Sequence, residues 1–122
     1  MGILTTPEST EVIHGAANIL KRMLEGYATC NEAIDGCSEQ TGPRAVVTTE
    51  PIFTLLNEHA KRGIRLRYIT ENIPDNISYC KEMKNNGYQV RHLDGVKGNF
   101  GIIGRTEYFA FSVFHTSGTT TS

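Results

Sequence analysis

The chain of 122 residues has no excess of either charge: 12 lysines and arginines stand against 13 aspartates and glutamates, for a formal net charge of −1. A nucleic-acid binder normally carries a basic excess or a basic stripe, so direct nucleic-acid binding is not expected. Long apolar runs are missing too. The longest uncharged apolar stretches are a few residues, far below the roughly 20 needed to cross a bilayer. The opening "MGILTTPESTEVIHG" lacks a basic segment followed by a long apolar one and is not read as a signal peptide. Met1-Gly2 alone does not make an N-myristoylation site, although Thr6 completes the short pattern and keeps that weak option open. Cysteine is sparse: Cys30, Cys37 and Cys80 are odd in number, irregularly spaced and free of any Cys-x-x-Cys pair. That argues against a zinc centre, a cofactor clamp or a redox motif, and for free thiols in a reducing, cytoplasmic compartment.

What is present is the composition of a soluble globular domain, 39% hydrophobic and 20% charged, at a length that suits one core. Residues 1–15 form a polar lead, 16–115 the domain, and 116–122 a low-complexity tail or cut end. From Ala16 to Ile34 apolar residues recur at three- and four-residue steps, which predicts a helix with Ile19, Met23 and Tyr27 inward. "AIDGCSEQTGPRAVVTT" carries a β-prone stretch at each end of a turn at Thr41-Gly42-Pro43. A second helix begins with Thr49 as N-cap, Glu50 and Pro51, and stops at Gly63. "IRLRYIT" alternates as a strand, with Ile64, Leu66 and Tyr68 opposite Arg65, Arg67 and Ile69. A third helix runs from Asp75 or Asn76 to Asn86, with Gly87 ending it. "YQVRHL" is the next strand, and "NFGIIG" with "EYFAFSVF" forms a hairpin turning at Gly104-Arg105-Thr106. The expected architecture is α/β, a mixed β-sheet with helices packed on it.

Two stretches are candidates for chemistry. "GVKGNFG" offers backbone N–H groups beside Lys97 as an anion cradle, but it matches neither a P-loop nor a dinucleotide fingerprint. Glycine is also the usual residue of turns, so a plain loop is the competing account. "YITENIPDN" places Thr70, Glu71 and Asn72 at the carboxyl end of a strand, where α/β sheets bind ligands. A pocket lined by Arg67, Glu71, Asn72, His92, Asp94, Lys97 and Asn99 would take a small polar or zwitterionic molecule. Against it, Glu71 is equally a solvated carboxylate and Asp75-Asn76 a helix cap. His92 and Asp94, two apart on a strand, share a face. Without a third ligand they do not make a metal site. Cys30 and Cys37 would share a helical face only if that helix ran on through Asp35-Gly36. The strand "YFAFSVF" is apolar on both faces, with Phe109, Phe111 and Val113 opposite Tyr108, Ala110 and Phe114, which favours a homodimer.

"AKRGIRLR", "NNGYQVRHL" and the hairpin "KGNFGIIGRTEYFAFSV" resemble, in order, the helix-end, strand and catalytic hairpin of phospholipase D-like domains. That family's catalytic pattern is His-x-Lys, an Asp five residues later, then Gly-Ser-x-Asn. Laid on this hairpin, the His falls on Lys97, the Lys on Asn99 and the Asp on Gly104, while Phe111 to Phe114 match only at Ser112. The family mechanism uses one histidine as nucleophile and another as general acid. Neither Lys97 nor Asn99 replaces an imidazole that titrates near neutrality. "RGIRLRYITENIPDNISYCKEM", "VRHLDGVKGNF" and "TEYFA" further resemble the non-catalytic phospholipase D-like input domain of archaeal sensor histidine kinases and winged-helix regulators. The resemblance implies a non-enzymatic sensory domain of a cytoplasmic signalling protein, dimeric, with an output domain C-terminal to it. It supplies no ligand. A phosphodiesterase, or a pure dimerisation module, are the alternatives.

Overall fold

The structure, a computed structural model, describes residues 10–111. Its centre is β2 (Arg65–Thr70), where the sequence alternation becomes a two-sided strand: Leu66, Tyr68 and Thr70 are buried while Arg65, Arg67 and Ile69 are exposed. β2 pairs in parallel with β1 (Ala33–Cys37) on one side and β3 (Tyr88–His92) on the other. β1 also pairs antiparallel with β4 (Asn99–Ile103), which forms a hairpin with β5 (Glu107–Phe111). The result is a five-stranded mixed sheet in the order β3-β2-β1-β4-β5.

Four helices join these strands: α1 (Ala16–Thr29), α2 (Gly42–Thr48), α3 (Ile52–Lys61) and α4 (Ile77–Asn85). They form one layer, α1 against α3, α3 against α2 and α2 against α4, with α3 on β2 and α4 on β3. The core lies between this layer and the inward side of the strands, around Leu66, Met83, Leu56, Phe53 and Ile34. His59 is buried in it. Its Nε2 bonds the Tyr27 carbonyl at 2.7 Å and its Nδ1 accepts from Arg62 Nη2 at 2.6 Å, which fixes a neutral ring with the proton on Nε2. Gly36 and Gly101 face each other across β1 and β4, flanked in register by Tyr68 and Phe109. A Cβ on Gly36 would lie 2.9 Å from the Tyr68 ring and one on Gly101 2.6 Å from the Phe109 ring. The two aromatic rings therefore rest on bare backbone, a packing that only glycine permits.

Several boundaries differ from the sequence expectation. α1 ends at Thr29, and Ile34 is a strand residue, paired with Leu66 and Ile103. Seven residues after Tyr27, it satisfies a helical spacing by coincidence. "RAVVT" is helical, because Pro43 opens a short helix whose Val46 and Val47 pack on the core. Thr49 does not cap α3. Its hydroxyl donates to the Ala45 carbonyl, and Glu50 Oε1 instead accepts from Thr54 N at 3.0 Å and Thr54 Oγ1 at 2.8 Å. The stops at Gly63 (φ +91°) and Gly87 (φ +102°), the faces of β2 and the turn after Ile103 are as the sequence implies. Ser112, Val113, Phe114 and His115, with Met1, Gly2 and Thr6, lie outside the described residues.

Candidate functional site

The carboxyl ends of β1, β2 and β3 meet the start of β4 along one rim, and buried polar side chains hold that rim together. Thr70 donates from Oγ1 to the Ser38 carbonyl at 3.0 Å and the Glu39 carbonyl at 3.2 Å, tying β2 to the chain leaving β1. Asn76, 2% exposed, donates from Nδ2 to the carbonyls of Gln40 (3.0 Å) and Glu71 (2.9 Å) and accepts Ile73 N–H on Oδ1 (3.0 Å). The chain leaving β1 and the loop leaving β2 thus converge on one amide. The sequence marks Asn76 only as a helix cap; nothing in its spacing shows the long-range partners.

Five of the expected site residues lie along the outer side of this rim, at the end of β2 and in the chain from β3 to β4. Glu71 Oε1 accepts from Gln40 Nε2 (3.1 Å) and from Gly95 N–H (3.3 Å). His92 Nδ1 accepts Asn72 N–H at 2.9 Å, so the ring proton sits on Nε2, which bonds Asp94 Oδ1 at 2.7 Å. Asp94 and Lys97 are exposed, and Lys97 makes no hydrogen bond or ion pair among the described residues. The group offers two carboxylates, an imidazole and an amine to solvent. That set suits a zwitterion or a cation with hydrogen-bond donors.

The other two expected residues are placed differently. Asn99 is 7% exposed, and both ends of its amide are occupied: Oδ1 accepts Glu39 N–H at 3.3 Å and Nδ2 donates to Glu39 Oε2 at 3.2 Å. Arg67 lies on the sheet face opposite the helices, forked onto Asp35 at 2.6 and 2.7 Å. This bidentate bond holds the Asp35 carboxyl below its usual range and raises Arg67. A hollow of about 520 Å³ on the same face, lined by Arg67, Ile69, Arg91, Phe100 and Ile102 among others, went unnoticed in the sequence because its walls come from strands far apart in the chain.

Among the described residues, no three His, Cys, Asp or Glu side chains converge as metal ligands, and no helix is long and apolar enough to cross a membrane. Cys30, Cys37 and Cys80 are free thiols; burial pushes those of Cys37 and Cys80 up. No protein-family model matches the chain, and no curated protein matches it.

Proposed function

We propose that the chain is a non-enzymatic sensory or regulatory domain of phospholipase D-like type, serving a sensor histidine kinase or a transcription regulator. It binds a small polar ligand at the rim formed by Glu71, Asn72, His92, Asp94 and Lys97. The observation that carries this reading is the state of Lys97 and Asn99, at the positions where phosphodiester chemistry would require histidine and lysine. Asn99 is buried and serves as a structural tie to Glu39, and Lys97 stands exposed and unpaired among the described residues. His92 lies five residues before Lys97 and already bonds Asn72 and Asp94. The rim therefore binds through carboxylates and an imidazole without presenting a free nucleophile beside a second histidine.

A thermal-shift screen with amino acids, polyamines, dicarboxylates and nucleotides tests it. A ligand at about 100 times its Kd adds about 2.7 kcal/mol, or roughly 10 °C for a domain near 100 residues. The expected result is such a shift from a zwitterionic or cationic compound, lost in Glu71→Gln. Absence of any hit would remove the sensor reading. Hydrolysis of bis(p-nitrophenyl) phosphate that disappears in His92→Ala would replace it with the enzyme alternative. The dimer expected from the aromatic strand is measured by sedimentation on the same preparation.

A further inference from the structure

The sheet face opposite the helices is organised by register into two cross-strand rows. One runs Gln89, Arg67, Asp35, Ile102, Tyr108; the other runs Arg91, Ile69, Cys37, Phe100, Ala110. Ile69, Ile102, Phe100 and Tyr108 are large apolar side chains left 39%, 48%, 49% and 84% exposed. Asp35 and Cys37 on β1 are half-buried, so β1 forms the floor of a trough. β2 on one side and β4 on the other supply its walls. Adjacent strands lie about 4.8 Å apart, so the backbones of β2 and β4 stand roughly 10 Å apart across β1. A helix laid along β1 would therefore rest on the exposed side chains of both neighbouring strands. Strands of five or six residues span about 17–20 Å, which matches roughly three to four helical turns.

Charge on this face is one-sided. Arg65 and Arg91 stand exposed on the β2–β3 side and form no ion pair among the described residues. The single aspartate, Asp35, is held by Arg67, and Tyr108 and Ala110 on the β5 side are uncharged. A second copy of the same face would set three arginines and one aspartate against an identical set, so like charge would oppose like. We propose that the trough receives an amphipathic α-helix from a partner protein, lying along β1. Its apolar stripe rests on Ile69, Phe100 and Ile102, and its acidic flank faces Arg65 and Arg91. This surface is separate from the Glu71–His92 rim, so neither stands or falls with the other.

The test uses two fluorescein-labelled amphipathic peptides of about 18 residues, long enough to form a helix on contact. They share one leucine stripe and differ in carrying glutamate or lysine along the same flank. Anisotropy titration of the full chain is expected to show the glutamate peptide binding at least about tenfold more tightly. Ile102→Glu is expected to abolish binding and Arg91→Glu to invert the preference between the two peptides. Both positions are exposed, and unchanged far-UV dichroism checks the fold. Equal affinity for the two peptides, or binding indifferent to Ile102→Glu, overturns the proposal. So does a dimer in sedimentation that Ile102→Glu dissociates, since a second copy would then fill the trough.

Discussion

Tyr68 and Tyr88 are both buried tyrosines of the inner sheet face, yet their hydroxyls have opposite standing. Tyr68 donates to Ser38 Oγ, which in turn donates to the Glu39 carbonyl at 2.9 Å. Among the described residues the buried Tyr88 hydroxyl finds no hydrogen-bond partner, and its ring stacks on Phe53. Removing a bonded hydroxyl costs about 1 kcal/mol, while removing an unpaired one relieves a desolvation cost. Tyr68→Phe is therefore expected to destabilise by about 1 kcal/mol, and Tyr88→Phe to be neutral or stabilising. Urea midpoints of the two variants, compared with the parent, decide it; an equal loss in both would contradict the contrast. The same burial acts on titration. Desolvation pushes Tyr68 up to about 12, opposed by its Ser38 bond, and carries Tyr27 and Tyr88 above the ordinary phenol range. Because the folded values exceed the unfolded value near 10, the neutral phenols contribute fully below about pH 10. That contribution is lost as pH rises toward about 12. Unfolding midpoints at pH 9 and pH 11 should therefore differ, the higher pH being less stable.

At the scale of elements, Gly101 is the most constrained position of β4. A methyl there would meet the Phe109 ring at 2.6 Å and the Asp35 carbonyl at 3.1 Å. Gly101→Ala is expected to cost about 1–3 kcal/mol by displacing Phe109 from its edge contact with Tyr27. Loss of the corresponding ring–ring nuclear Overhauser contacts would accompany the lowered midpoint; an unchanged Phe109 environment would refute this packing account. Strand and helix identities with strong period or punctuation were legible in the residues. Alternation gives both faces of β2, and Gly63 and Gly87 stop α3 and α4. α2 was not, because valine and threonine favour strands, while Pro43 opens the helix and contact with α3 and α4 holds it. Glu71, Asn72, His92 and Asp94 were legible as a group because strand ends gather predictably along one rim. Asn99 and Arg67 were not. A polar side chain in the sequence does not show whether its partner is solvent or another side chain 60 or 32 residues away.

For the whole molecule, the one-sided arrangement separates two surfaces. The helices enclose the core on one side of the sheet and leave the other to the trough, while the Glu71–His92 rim crosses its end. A ligand at the proposed rim site would touch the loop from His92 to Asn99, and that loop leads directly into β4, a wall of the trough. Rim and trough thus share a strand rather than a chain of side-chain contacts.

The sheet order has a consequence for how the molecule comes apart. Among the described residues the β4–β5 hairpin is attached through one strand pairing, β1 with β4, the packing of Ile103 and Phe109 on the core, and side-chain ties from Arg22 to Glu107 at 2.6 Å, Arg105 to Glu32 at 3.1 Å and Asn99 to Glu39. β2, by contrast, is paired on both sides and covered by α3. Amide hydrogen exchange should therefore find β4 and β5 opening at lower free energy than β2, as a separate cooperative unit. If all strands exchanged together, the hairpin would not be such a unit. When it lifts away, β1 becomes an unpaired edge beside an apolar surface, a template for another chain. Aggregation on storage would then keep pace with detachment of the hairpin, well before global unfolding.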